Sequence, residues 1–226
     1  MLERLSVHLL SYKMAVFDCD GVLLDSNAVK TNAFEEVLRN MGQPEEKISE
    51  LIAYHKAHGG VSRHVKFKVF FEEIAPHVDS EKKSYEAIQS YGEVCEKGLM
   101  EAGLIPGVES CLQKYQEQGI PCFVVSGGEQ KQVERVLEFK GLAQYFDCIL
   151  GSPKTKTQNM DLIRGQGKLG LPGVFFGDAH SDKQAAAENG LDFVFVSDRS
   201  EWSEGLAVCQ KEKHFILPDF SHIKWA

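Results

Sequence analysis

Five short apolar runs punctuate the chain, each closed by a polar cluster: MAVF before Asp18-Cys19-Asp20, CFVV before Ser126-Gly127-Gly128, CIL before GSPKTK, VFF before Gly177-Asp178, and DFVFV before Ser197-Asp198. Apolar runs this short, bounded by turn residues, predict buried strands. Stretches with helical spacing separate them: residues 108–118, residues 129–139 with Val133, Val136 and Leu137 facing inward, and residues 181–188. Strand alternating with helix predicts an α/β fold built on a parallel, doubly wound, Rossmann-like sheet.

One interval breaks the alternation. Residues 26–103 hold no comparable apolar run, and their period is 3.6: Val29, Ala33, Phe34, Val37, Leu38 and Met41 fall on one helical face with Gly42 as a stop, and Phe67, Phe70, Phe71 and Ile74 repeat the pattern before Pro76. The expected organisation is therefore a core made of residues 1–25 and 104–226, with a helical domain of residues 26–103 inserted after the first strand. Gly103, Pro106 and Gly107 supply the second crossing.

With 226 residues, 43% apolar and 26% charged, the chain is long enough for one core and an insertion, and too apolar for a disordered segment. Thirty-three acidic against 25 basic residues give a net charge of −8, so its overall field repels nucleic acid and anionic membranes, and neither is an expected partner. Any anionic ligand requires local positive charge. The six cysteines form no CxxC pair and read as free thiols of a reducing cytoplasm. The segment MLERLSVHLLSYK lacks the pattern of a signal peptide, and no run approaches the roughly 18 apolar residues of a membrane helix. A cytoplasmic monomer or homodimer is expected.

Asp18 and Asp20 directly follow the first strand, and in extended backbone their side chains share one face while Cys19 takes the other. Alone, such a triplet is equally a polar strand end with turn-forming aspartates. Three more polar clusters close three other strands: Ser126-Gly127-Gly128, Lys154 with Lys156, and Gly177-Asp178 with Asp182. In a parallel sheet these ends meet at one edge, where ligands bind.

Taken in order, DCDGVLLDS, VVSGG, the lysine after GSP, and GDAHSD resemble the four motifs of the haloacid dehalogenase (HAD) superfamily. The helical insertion between the first and second motifs is similar to the C1-capped branch, which includes phosphoglycolate phosphatases and β-phosphoglucomutase. True 2-haloacid dehalogenases lack the second aspartate of the first motif, so Asp20 favours phosphoryl chemistry. The resemblance implies a Mg²⁺-dependent phosphatase acting on a small phosphorylated metabolite. A phosphomutase, returning the phosphoryl group to an isomeric sugar, is the alternative, and a noncatalytic phospho-ligand binding module is a third reading.

The chemistry demands the same groups. Phosphate-monoester hydrolysis calls for up to ~10²¹-fold acceleration, while positioning contributes only about 7–11 kcal/mol of barrier. Asp18 is the candidate nucleophile, forming an aspartyl-phosphate, and Asp20 the candidate acid and base. Asp18 and Asp178, with the carbonyl of Asp20, offer the hard oxygens that Mg²⁺ takes. The family gives Asp182 a supporting role at the metal or the lysine, and its alternative is a first-turn helix acid. Ser126 with the amides of Gly127 and Gly128 would approach phosphate oxygens, or Ser126 would merely cap a helix. Lys156, at the start of the next helix, is favoured as the active-site cation, with Lys154 as the alternative. His180 reads as a loop residue, and both tryptophans as packing.

Residues 51–71 contain no acid but hold Lys56, Arg63, Lys66 and Lys68 with His55, His58 and His64. Gly59-Gly60 predicts a loop over residues 58–63. In the C1-capped branch a cap loop closes over the active site, which would bring Arg63 to the non-reacting part of the substrate. A guanidinium there suits a carboxylate or second anion, and the alternative is a solvated basic helix face with Arg63 near the start of the following helix.

Overall fold

The computed structural model describes residues 9–225. Residues 1–8, on which most of the signal-peptide reading rests, lie outside it. The elements run β1 (Ala15–Phe17), α1 (Asn27–Asn40), α2 (Glu45–Ala57), α3 (Arg63–Val69) continuing into a π-helical turn (Phe70–Ile74), α4 (Ser80–Glu101), α5 (Val108–Glu117), β2 (Cys122–Glu129) and α6 (Gln130–Phe139). They continue with β3 (Cys148–Ser152), α7 (Lys156–Gly165), β4 (Val174–Gly177), α8 (His180–Glu188), β5 (Asp192–Val196), α9 (Gly205–Glu212) and β6 (Phe215–Leu217).

The six strands form one parallel sheet in the order β3-β2-β1-β4-β5-β6. The five anticipated strands are all present, and β6 extends the sheet at one edge. Alternation along β1 divides its side chains between two cores. Ala15 and Phe17 face one side, where Phe17 stacks on Phe176 at 4.8 Å and meets Tyr115 edge-on at 6.1 Å. Val16 faces the other, among Phe123, Phe175 and Phe195. Each buried aromatic contributes about 1.5–3 kcal/mol of transfer free energy, which fixes β1 at the sheet centre.

All secondary structure described from Asn27 to Glu101 is helical. Phe34 of α1 is its hub, with ring centroids 4.3 Å from Tyr91, 4.8 Å from His55 and 5.1 Å from Phe67. The chain leaves and re-enters the sheet side by side: the Asp25 amide donates to the Gly103 carbonyl (2.9 Å) and the Ile105 amide to the Leu23 carbonyl (3.0 Å). These paired crossings hold the helices over the carboxyl edge of the sheet. No helix among the described residues is long and apolar enough to cross a membrane.

Candidate active site

Because β1 is central, Asp18 emerges between β2 and β4. The Phe176 carbonyl accepts its amide N–H (2.9 Å), and its carboxylate accepts the Cys19 N–H (2.7 Å). Thr155 closes a capping box with Gln158, and this starts α7 at Lys156. The Lys156 ammonium thereby reaches Asp18 Oδ2 at 2.8 Å and also pairs with Asp182. Lys154 is exposed, so Lys156 is the lysine that the geometry brings to Asp18.

Asp182 is fully buried in the first turn of α8. Its Oδ2 accepts the amides of Asp178 (3.2 Å) and Ala179 (3.0 Å), while Oδ1 takes Lys156. Asp182 thus braces the start of α8 and pairs with Lys156. Asp178 accepts the Asn27 side-chain amide at 2.7 Å. Asp18, Asp178 and Asp182 each bring a carboxylate oxygen within 4.8 Å of the others.

Asp20 stands outside that cluster. Its carboxylate takes the Ser26 hydroxyl at 2.6 Å and the Lys30 ammonium at 2.8 Å. Burial raises the Asp20 carboxyl, but Lys30 and Ser26 outweigh it and hold the group below the usual range. Burial pushes Asp18 up to about 7, with Lys156 opposing and the Asp182 and Asp20 charges adding to the rise. Asp178 is raised well above the usual carboxylate range by burial and then by Asp18 and Asp182. Burial lowers Lys156, yet the two aspartates keep it above its ordinary value. Three carboxylates against one ammonium leave this cluster short of positive charge, and its hard oxygens fit a divalent cation such as Mg²⁺.

Ser126 is not a helix cap: β2 continues through it to Glu129, and Glu129 caps α6 by accepting the Lys131 and Gln132 amides. Ser126 is fully buried, and its Oγ accepts the Gly128 N–H at 3.0 Å. Gly127 and Gly128 line the cavity above the aspartates, together with Lys30, His55 and Lys66. The turn at Gly59-Gly60 is seated on this edge, where Ser181 Oγ donates to the Gly59 carbonyl (2.8 Å). A Cβ on Gly127 would lie 2.0 Å from the Gly60 carbonyl oxygen, and Gly60 itself has φ +74°, so this approach requires glycine on both sides.

Arg63 stands at a helix start, as the alternative reading had it, but lies neither in the expected loop nor on a solvated face. It opens α3, is only 8% exposed, lies over the Tyr91 ring (5.2 Å to the centroid) and donates to Gln132 Oε1 (3.0 Å). It still lines the cavity, as a fixed wall rather than a free arm. His180 is the first residue of α8 rather than a loop residue, and it is exposed, edge-on to Trp202 at 5.6 Å. Trp225 packs on Tyr115 as expected, whereas Trp202 reaches the cavity. Lys30, Asn27 and Glu201 also line it and were not anticipated; two of them lie on the polar side of α1, which the apolar stripe does not mark.

Residues 15–196 match the sequence profile of the haloacid dehalogenase-like hydrolases. A phosphoglycolate phosphatase from Rhodobacter capsulatus is 25% identical over 200 residues, covering 81% of this chain and 83% of that one. Among solved structures, one described as a predicted phosphoglycolate phosphatase from Haemophilus somnus 129PT superposes with a TM-score of 0.73 at 20% identity, covering 94% of this chain and 96% of the other. A β-phosphoglucomutase from Clostridium difficile gives 0.71 at 18% identity, covering 95% and 94%. At these identities, the two structures speak for the fold.

Proposed function

The chain belongs to the haloacid dehalogenase-like hydrolase family and is a phosphatase of that family, and from this premise we propose that it hydrolyses a small phosphorylated metabolite through an aspartyl-phosphate on Asp18. The observation that carries the reading is the meeting of Asp18 with Lys156, at 2.8 Å, under the glycine amides of β2 and beside Asp178 and Asp182. Residues from four separate strand ends converge there.

In this reading Asp18 attacks phosphorus while the alkoxide leaves, and Asp20 delivers the proton to that oxygen. Water then attacks phosphorus of the acyl-phosphate, Asp20 takes its proton, and Asp18 and inorganic phosphate are released. Lys30 holds Asp20 ionised, the form the second half requires. The negative phosphoryl group beside it favours the acid form needed for the first half. Lys156 fixes Asp18 and balances phosphoryl charge. Ser126 and the Gly127 and Gly128 amides hold phosphoryl oxygens. Asp18 and Asp178, with the Asp20 carbonyl and the support of Asp182, would hold Mg²⁺, whose positive charge keeps Asp18 ionised and offsets charge on the phosphoryl oxygens.

The helices from Asn27 to Glu101 act as a cap that excludes water, seated through Gly59-Gly60. The six free cysteines support a reducing, cytoplasmic setting. Free-phosphate release across phosphorylated sugars, sugar acids and two- or three-carbon acids tests the proposal. Multiple-turnover release without formation of an isomeric ester supports a phosphatase, and conversion to the isomer without release would assign a mutase instead.

A further inference from the structure

Three lysines line the cavity and Lys156 pairs with its Asp18; three of these four have carboxylate partners. Lys30 meets Asp20, Lys156 meets Asp18 and Asp182, and Lys56 stands 3.8 Å from Glu201. The fourth, Lys66, is 2% exposed and forms no ion pair among the described residues. Its ammonium lies 2.7 Å from His55 Nδ1 and 5.8 Å from the centroid of the Phe34 ring.

The surrounding hydrogen bonds have a direction. An ammonium can only donate, so His55 Nδ1 accepts and its Nε2 carries the hydrogen. That nitrogen is 3.1 Å from Thr31 Oγ1, which donates to Glu201 at 3.0 Å. His55 is thus anchored at its far end to a carboxylate, and at its near end it orients the Lys66 ammonium while satisfying only part of it. Arg63, three residues earlier on the same face of α3, likewise lacks a carboxylate partner among the described residues. Two cations are therefore buried on the cap side of the cavity with no carboxylate in contact among the described residues, Glu201 and Asp20 acting on Lys66 only at longer range, an arrangement that an anion bound there would relieve.

We propose that Lys66, oriented by His55, is a specificity-determining residue that reads a carboxylate at the non-reacting end of the substrate, with Arg63 beside it, so that this phosphatase selects short phosphorylated carboxylic acids over uncharged phosphomonoesters. The proposal rests on the phosphatase reading above. Lys66 and Arg63 line the same cavity as Asp18 and Asp178, so a substrate whose phosphoryl group sits at Asp18 can present a short anionic tail to them. Burial and then the Lys30 charge push the Lys66 ammonium down to about 7, so its charge is present below neutrality and lost above it. Lys30 of α1, His55 of α2, Asp20 after β1, Lys156 of α7 and Glu201 after β5 are the groups that face it.

The test compares phosphoglycolate, a two-carbon phosphorylated acid, with ethyl phosphate, which lacks the carboxylate. Wild type is expected to favour the acid at least about 30-fold in kcat/KM at pH 6, as for a buried charge pair. That preference declines above about pH 7. Lys66→Met should bring the ratio to within about 3-fold of unity and flatten its pH profile, and Lys66→Arg should restore the ratio without the decline. Lys68→Met, an exposed neighbour, should keep the wild-type ratio. An unselective wild type, or Lys66→Met lowering both esters equally, would overturn the proposal and assign Lys66 to the phosphoryl site or to cap folding. If wild type cleaves neither ester, the phosphatase reading fails. Calorimetric affinities for the same two esters then read the carboxylate preference directly, equal affinities refuting it.

Discussion

Asp182 is sealed from solvent, yet its two oxygens serve three donors: the amides of Asp178 and Ala179, and the Lys156 ammonium. An asparagine keeps the shape but must present its NH₂ to one of these donors. Asp182→Asn should therefore lower stability by about 3 kcal/mol, the scale of a broken buried ion pair, and release Lys156 from its position. Urea unfolding checks the first effect, and kcat, expected to fall at least about 100-fold, checks the second. An unchanged midpoint and kcat would remove Asp182 from the site. Asp18, Asp20, Asp178 and Lys156 were legible in the sequence because each stands within a few residues of an apolar run whose end marks the sheet edge. Lys66 was legible only as one charge in a basic segment. Its burial depends on α3 packing with Phe67 toward Phe34, a long-range contact that leaves no local signature.

At the scale of elements, the decisive contact is between the Gly59-Gly60 turn and β2. In Gly127→Ala the new methyl would meet the Gly60 backbone at 2.0 Å, where no side chain can give way. The cap turn should then fail to seat, and kcat/KM for a short phosphorylated acid should fall at least about 100-fold because water is no longer excluded. Circular dichroism should show the helix and strand content retained. Full activity in this variant would mean that the observed closure is not required. The glycine pair and the loop were readable from sequence, but not its docking partner. Five strands were readable from their apolar runs, whereas β6 lies at the sheet edge with Phe215 and Ile216 only partly buried, and its run was not read as a strand. The pattern marked residues 26–103 as helical, stopped a first helix at Gly42 and another before Pro76, and put a loop at residues 58–63, but it set no bounds for α4.

The whole molecule carries a net charge of −8 and gathers three of its buried carboxylates into one cluster. Mg²⁺ should therefore stabilise the fold as well as enable turnover. At about 100 times its Kd, a ligand specific to the native state adds about 2.7 kcal/mol, or roughly 5–10 °C in Tm for a chain of this size. Thermal unfolding with and without Mg²⁺ reads this directly. EDTA should abolish both the shift and phosphate release, and Asp178→Asn should lose most of the shift. A midpoint indifferent to Mg²⁺, with full activity in EDTA, would remove the metal from the account.

If Asp18 attacks phosphorus, inorganic phosphate release by wild type and by Asp18→Asn on the best substrate from the panel separates the two proteins. An amide is nearly isosteric with the carboxylate but cannot act as the anionic nucleophile. Asp18→Asn should lose turnover while its unfolding midpoint and circular dichroism remain those of a folded protein. Phosphate release from Asp18→Asn near the wild-type rate would contradict attack by Asp18.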